Sequence, residues 1–281
     1  MKEHHVFALT PSAVALGILL NLAAMPVNAD SASAGTAGDY LGLKLVMGQK
    51  IGDVFSKTVS VEGGGIDALV KHWSGTMLFT VADASPSKPV FSTATVYEGD
   101  PAQNDMEEVR DKGTSVCPVK AGKTGECAPY YEDTGPMYDA FLWGNPTGKL
   151  VPGMSWAVNL SVPWELGPAG SQTVTVVSVD PANQQVMLKR EGSGEGHTSY
   201  DQYSKNQITV TKDGKKYLLD MVPGTTHWVG YTVFRQGLTV SDELIMTRTL
   251  LVSSKDFGDA TLQQRQYTIF NQCPPELLSW Q

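Results

Sequence analysis

Cationic side chains, histidines and cysteines are all scarce in this 281-residue chain, and beyond residue 29 it has no long apolar run. Each shortage excludes something. With 21 basic against 29 acidic residues the formal charge is −8. A phosphate backbone is held by clustered Lys and Arg that release counterions, so this chain repels one on average. Nucleic acid is therefore not an expected partner, and Lys120 with Lys123, or Lys212 with Lys215 and Lys216, read as solvated turn residues. A membrane-spanning helix needs about 20 apolar residues. No segment after the first apolar run approaches that length, so the mature chain is expected to have no transmembrane helix.

The signatures of catalysis are equally thin. Gly122-Lys123-Thr124 resembles the end of a phosphate loop, but Cys117 stands where that motif needs its first glycine. Once His4 and His5 are set aside with the leader, the histidines are His72, His197 and His227. A serine-nucleophile triad needs one of them, and no Gly-x-Ser-x-Gly elbow is present. Glu191, Glu195 and His197 lie close in a glycine-rich stretch, without the spacing or further ligand of a recognised zinc site. Neither a metal nor a cofactor is expected. The carboxylate neighbours Glu132–Asp133 and Asp242–Glu243 read as solvated surface, because adjacent side chains point differently on most backbones.

What is present begins with an apolar stretch at 13–25, a helix-breaking Pro26, and small-residue cleavage geometry at Val27-Asn28-Ala29. This reads as an export signal, residues 1–29, with the mature protein starting near Asp30 in a periplasmic or secreted setting. An oxidising compartment gives the three cysteines meaning. The expected bridge joins Cys117 to Cys127, worth about 3 kcal/mol in the chain-entropy model for a loop of this size. Cys273 is then the odd thiol, read as a buried small residue, with a long-range bridge as the alternative.

The composition, 41% apolar and 18% charged, is that of a globular chain, and residues 30–281 are long enough for a single β-rich domain. A subdivision near residue 150 is the alternative. Short apolar runs fall at 41–47 and 54–61, strand signals at 77–82 and 90–97, and from residue 154 onward they follow one another at 156–162, 173–179, 185–190, 207–212, 216–222, 226–235, 244–253 and 264–270. Asp213-Gly214 is a two-residue hairpin signal. It sets Val210 against Tyr217 and Ile208 against Leu219, with Thr209–Leu218 and Gln207–Asp220 on the other face. Ile66, Leu69, Val70 and Trp73 fall at helical spacing, which predicts a short helix over 66–73. A second helical turn is expected over 105–112, between Asn104 and Gly113. The interval 98–150 otherwise reads as a long irregular loop. The expected fold is mainly β: an antiparallel sandwich or partly closed barrel of about a dozen strands with one or two short helices.

Within that interval Tyr130, Tyr131, Tyr138 and Trp143 are the candidate ligand-binding residues, flat rings set among Glu132, Asp133, Asp139 and Asn145. Such rings suit a glycan, a small molecule or an envelope protein, and loops on a rigid scaffold are where binding residues gather. The competing reading is that they pack the loop onto the sheet. The functional expectation is an exported, non-catalytic β-rich binding or envelope-associated protein. The alternative is a secreted or periplasmic hydrolase acting on envelope polymers or glycans, for which His197 and Glu195 are the residues to test.

Overall fold

The computed structural model describes residues 35–278, apart from 86–87, 111–112, 121, 127, 131–135, 165, 200 and 202–203. The proposed leader, Tyr131 and Cys127 thus lie outside the described residues. The fold is mainly β and antiparallel, as the composition and strand signals lead one to expect. Its strands are β1 (Lys50–Gly63), β2 (Leu69–Asp83), β3 (Val90–Tyr97), β4 (Gln103–Arg110), β5 (Gly113–Lys120), β6 (Lys123–Thr124) and β7 (Ala128–Tyr130), then β8 (Ser155–Leu160), β9 (Gly170–Asp180) and β10 (Gln185–Gly194), and finally β11 (Gln207–Lys212), β12 (Lys215–Arg235), β13 (Leu238–Ser254) and β14 (Gly258–Cys273). Two short helices, α1 (Ala37–Leu41) and α2 (Ala140–Trp143), accompany them.

One sheet contains all fourteen strands, in the order β6-β5-β4-β3-β2-β1-β14-β13-β12-β10-β9-β8, with β11 beside β12 and β7 beside β5. The path has two ends and does not close on itself. The first and last long strands, β1 and β14, are neighbours over Gly52–Gly63. That pairing joins the strands before residue 150 to those after it.

Because successive side chains on a strand point to opposite faces, one face of the sheet can carry the core only if every strand keeps its parity. On β13 the even residues from Asp242 to Val252 are buried, and on β14 Leu262, Gln266, Thr268 and Phe270 match them. In β12 the buried positions are Leu219, Met221 and Pro223, then Thr226, Trp228, Gly230, Thr232 and Phe234. A register shift between Pro223 and Thr226 accounts for the change from odd to even. The extra residue is a β-bulge. Pro223-Gly224 therefore does not end a strand, and the two expected strands 216–222 and 226–235 are one strand of 21 residues.

The Asp213-Gly214 hairpin forms with the register that its turn chemistry dictates, Val210 facing Tyr217 and Ile208 facing Leu219. Both turn residues have positive φ, +51° and +76°, as a type I′ turn requires. Two expectations fail. Residues 66–73 are not helical: Leu69 to Trp73 run along β1, Trp73 opposite Lys57 and Leu69 opposite Val61. Gly63, Gly64 and Gly65, all at positive φ, turn the chain back on itself, and ladder hydrogen bonds then outweigh a two-turn helix that would be marginal alone. Residues 105–110 likewise belong to β4, paired with β5 from Asp105–Pro118 to Arg110–Gly113. Gly113 serves a strand turn there, so the interval 98–150 holds a meander, β4 to β7, and α2.

Three apolar clusters lie on the core-bearing face. The largest joins α1 (Tyr40, Leu41), α2 (Leu142, Trp143) and Trp164 with Leu166 to strands β8, β9, β10, β12 and β13. At its centre Arg190, fully buried, stacks between Trp143 and Trp164 at 4.8 and 5.3 Å and reaches Asp242 at 3.2 Å. Thr232 donates to the same carboxylate. Beside it Trp228 donates its indole N–H to Gln172 at 2.8 Å, and Gly192 makes room for both. A Cβ there would stand 2.5 Å from Gln172 Cβ and 2.7 Å from Trp228 Cε2.

Gly192→Ala is therefore expected to cost about 1–3 kcal/mol of stability, the range for overpacking a filled core. Urea denaturation would read it as a lower midpoint at unchanged slope. An unchanged midpoint would mean the indole has room to move.

Candidate functional site

Of the four aromatic residues singled out above, the structure brings Tyr138 and Trp143 together. Both rings meet Phe234 edge-on, at 5.2 and 5.1 Å. Trp143 is 3% exposed. Asp139 caps α2 by accepting from Phe141 N at 2.8 Å, and the Tyr138 hydroxyl donates to the carbonyl of Gly144 at 2.8 Å. These contacts attach the loop to the sheet. Tyr130 lies on β7, with its backbone opposite Thr114 of β5.

The glycine-rich stretch has a different fate. Gly192 and Gly194 are ladder positions of β10 opposite Trp228 and Thr226, and the chain leaves the strand through Gly196 at φ +100°. Thr198 and Asp201 then form a reciprocal cap. Thr198 N donates to Asp201 Oδ2 at 2.8 Å, and Asp201 N donates to Thr198 Oγ1 at 3.1 Å. The same carboxylate takes a two-pronged hydrogen bond from Arg248, 2.5 and 2.7 Å, while Arg248 Nε donates to Gln264 at 2.6 Å. Burial alone would raise the Asp201 carboxyl, but Arg248 and Thr198 together hold it below the usual carboxylate range. His197 Nδ1 stands 3.9 Å from Asp201, too far for a hydrogen bond. Asp201 is thus committed to Arg248, and His197 is not lined up with it as a base with its orienting acid. Glu195 is exposed.

Another surface emerges from the register of β2, β1 and β14. Three consecutive rungs on the core-bearing face read Trp73–Lys57–Thr268, Lys71–Val59–Gln266 and Leu69–Val61–Gln264. Gln266 and Thr268 are buried, whereas Trp73, Lys57, Val59, Leu69 and Gln264 are half-buried and Lys71 is exposed. Pairing of β2 with β3 begins at Gly75–Tyr97, so among the described residues β2 from 69 to 73 has β1 as its only strand neighbour. Over β8, β9, β10, β12 and β13 this face is packed against α1, α2 and the segment bearing Trp164; among the described residues, the rungs of β2, β1 and β14 remain partly exposed. At the next rung, Gly75–Phe55, a shallow hollow of about 480 Å³ opens between Phe55, Tyr97, Ser74 and Glu98. None of these residues stands out in the sequence as a site. Trp73 reads there as one face of a helix, and the glutamines acquire a common face only through the register.

The strip is also short of polar partners. Gln266 Nε2 and Thr268 Oγ1 are buried with no hydrogen-bond partner among the described residues. Among the described residues no group of three His, Cys, Asp or Glu is placed to hold a metal.

Two further groups complete the inventory. Asp53 on β1 is 0% exposed, neither of its carboxylate oxygens has a partner, and burial raises its pKa to about 8. Cys117 is buried and disulfide-bonded, whereas Cys273 is a free thiol. Burial and the nearby Asp53 and Glu276 push the Cys273 thiol up, so it is a poor nucleophile.

No protein-family model matches the chain, and no curated protein matches it. Among solved structures it is similar to one titled "Lipid-protein interactions in lipovitellin", at TM-score 0.37 and 9% identity. The match covers 82% of this chain and 26% of that one. Likeness at this level carries no argument about function.

Asp53 makes stability depend on pH in a fixed direction. Its folded pKa of about 8 lies above the ordinary 3.8, so between those values the folded chain holds a proton that the unfolded chain has released. Its contribution to stability therefore falls as pH rises through that window, by up to about 1.4 kcal/mol per unit, and levels off above it. Asp53→Asn removes this dependence. The variant is expected to be more stable than the parent at pH 8, with the advantage shrinking toward pH 4 in urea titrations; a pH-independent difference would refute the assignment.

Proposed function

We propose that this is an exported, non-catalytic binding protein, and that its ligand lies on the half-open strip formed by β2, β1 and β14. One observation carries the reading: among the described residues, the face that elsewhere forms the core is only half-buried at Trp73, Val59, Leu69 and Gln264. A flat indole beside aliphatic side chains and hydrogen-bonding amides suits a ligand with an apolar body and a polar end. The incompletely covered apolar cluster that includes Val59, Leu69, Ile66, Tyr217 and Phe257 continues the strip. A small amphiphile fits that surface better than a glycan, which would call for more exposed rings. Export rests on the leader at 1–29, and the Cys117–Cys127 bridge on the compartment that the leader implies. Tyr138 and Trp143 serve the scaffold in this reading.

Nile red, a neutral apolar dye, is expected to bind the parent with enhanced emission, and Trp73→Ala is expected to weaken that binding by about fivefold or more, about 1 kcal/mol. Equal binding by parent and variant would remove the strip from consideration. Intact-mass analysis of the exported product should find a chain starting at Asp30 with one bridge between Cys117 and Cys127. An unprocessed terminus with all three thiols free would remove the compartment.

A further inference from the structure

We infer that the open edge of β2 from Leu69 to Trp73 binds an extended peptide, which joins the sheet as a further strand, antiparallel to β2 and in line with β3. Its determinants are backbone groups along the strand edge, so it stands apart from the small ligand of the strip. From Gly75 to Asp83 the same edge already carries a strand, β3. Glu98 N donates to Ser74 O at 2.9 Å, and a turn closed by Asp100 N on Tyr97 O at 3.1 Å then takes the chain into β4. Residues 69–73, about 17 Å of strand, are left with β1 as their only strand neighbour among the described residues.

Backbone N–H and C=O groups of a strand point alternately to its two sides, and those on an edge are a template for another extended backbone. Edges are ordinarily blunted by proline, by a bulge or by a covering segment. This stretch has no proline, its pairing with β1 has no register shift, and Val70, Lys71 and His72 are exposed in succession, Val70 at 64%. One end of the edge is anchored, because Asp67 N donates to Thr211 O of β11 at 2.8 Å. A preordered edge spares its partner part of the cost of binding.

Side chains decide which peptide fits. Leu69, Lys71 and Trp73 share one face, and Val70 and His72 the other. Opposite charges and apolar pairs facing each other across strands are favourable, so the guest wants a carboxylate opposite Lys71 and β-branched residues opposite Leu69 and Trp73. Running in line with β3, its amino terminus lies beside Trp73, near the exposed Glu98 and Asp100 at the end of β3. A free amine suits that end, whereas a parallel guest would bring a carboxylate there.

The probe is Val-Thr-Glu-Thr-Val with a free amino end and fluorescein at its carboxyl end, titrated by fluorescence polarisation against the mature protein, with hydrogen exchange followed in parallel. Saturable binding is expected below about 1 mM, with slowed exchange at alternate amides between Leu69 and Trp73. Two further peptides carry N-methyl groups either on both threonines or on the glutamate and the last valine. One of them is expected to bind about tenfold or more weakly and the other nearly as well as the parent peptide, because one set of amides faces β2. Lys71→Glu, a substitution at an exposed position, is expected to weaken binding about fivefold and to reverse the preference in favour of Val-Thr-Lys-Thr-Val. Full binding by both methylated peptides, protection confined to another part of the chain, or no binding up to about 1 mM would overturn the inference. So would a free protein that is already a dimer with the amides of 69–73 protected, since a second copy would then hold the edge. Any of these failures leaves the dye measurement, and with it the reading of the strip, untouched.

Discussion

The Arg190 guanidinium, buried without exposure between Trp143 and Trp164 and tied to Asp242, is the contact on which the covered half of the sheet depends. An arginine cannot shed its charge. Once β10 carries it into the core, the chain must supply rings, a carboxylate and a hydroxyl around it, and these come from α2, from the segment after β8, from β13 and from β12. Segments that make few contacts with one another are thereby held in one place. Replacing such a pair with apolar residues is often neutral or better for stability, whereas removing one partner is severe. Its value lies in positioning: it sets α2 and Trp164 over β8 to β13 and so determines which part of the face is covered.

Coverage of that face is uneven because the core-bearing parity runs across the whole sheet while the covering segments do not. The bulge after Pro223, with a second register shift between Val233 and Phe234, keeps the buried face of β12 in phase with β13. The same face therefore continues without interruption to β14, β1 and β2. Beyond β13 its residues change character, from Leu244, Met246 and Trp228 to Thr268, Gln266 and Lys57. Asp53, at the far end of β1, is a different matter: a lone acid whose burial makes it titrate near neutrality and trades stability for pH dependence.

Much of the architecture was legible from local signals. The Asp213-Gly214 turn specified its hairpin residue by residue, because a two-residue loop permits one register. Alternation located most of the strands after residue 154. Two helices were placed where the structure has strands, and the cause differs. Residues 66–73 carry a true helical spacing that was outvoted by the neighbouring strand, whereas Asn104 and Gly113 carry cap chemistry that a strand turn uses equally well. The aromatic group in the interval 98–150 was conspicuous by composition, but two of its members, Tyr138 and Trp143, spend their rings on Phe234 and Arg190.

By itself the sequence determined the class: apolar content enough for a core, and alternation that commits most of the chain to antiparallel strands. These follow from properties that each residue has alone or with neighbours a few positions away. Only the tertiary structure decided that Trp73, Lys57 and Thr268 share a rung. Residues more than 190 positions apart in sequence become neighbours through the β1–β14 register, and a one-residue slip would send either strand's set to the other face. No local pattern carries that information, because pairing between distant strands is settled by the burial of the whole face at once.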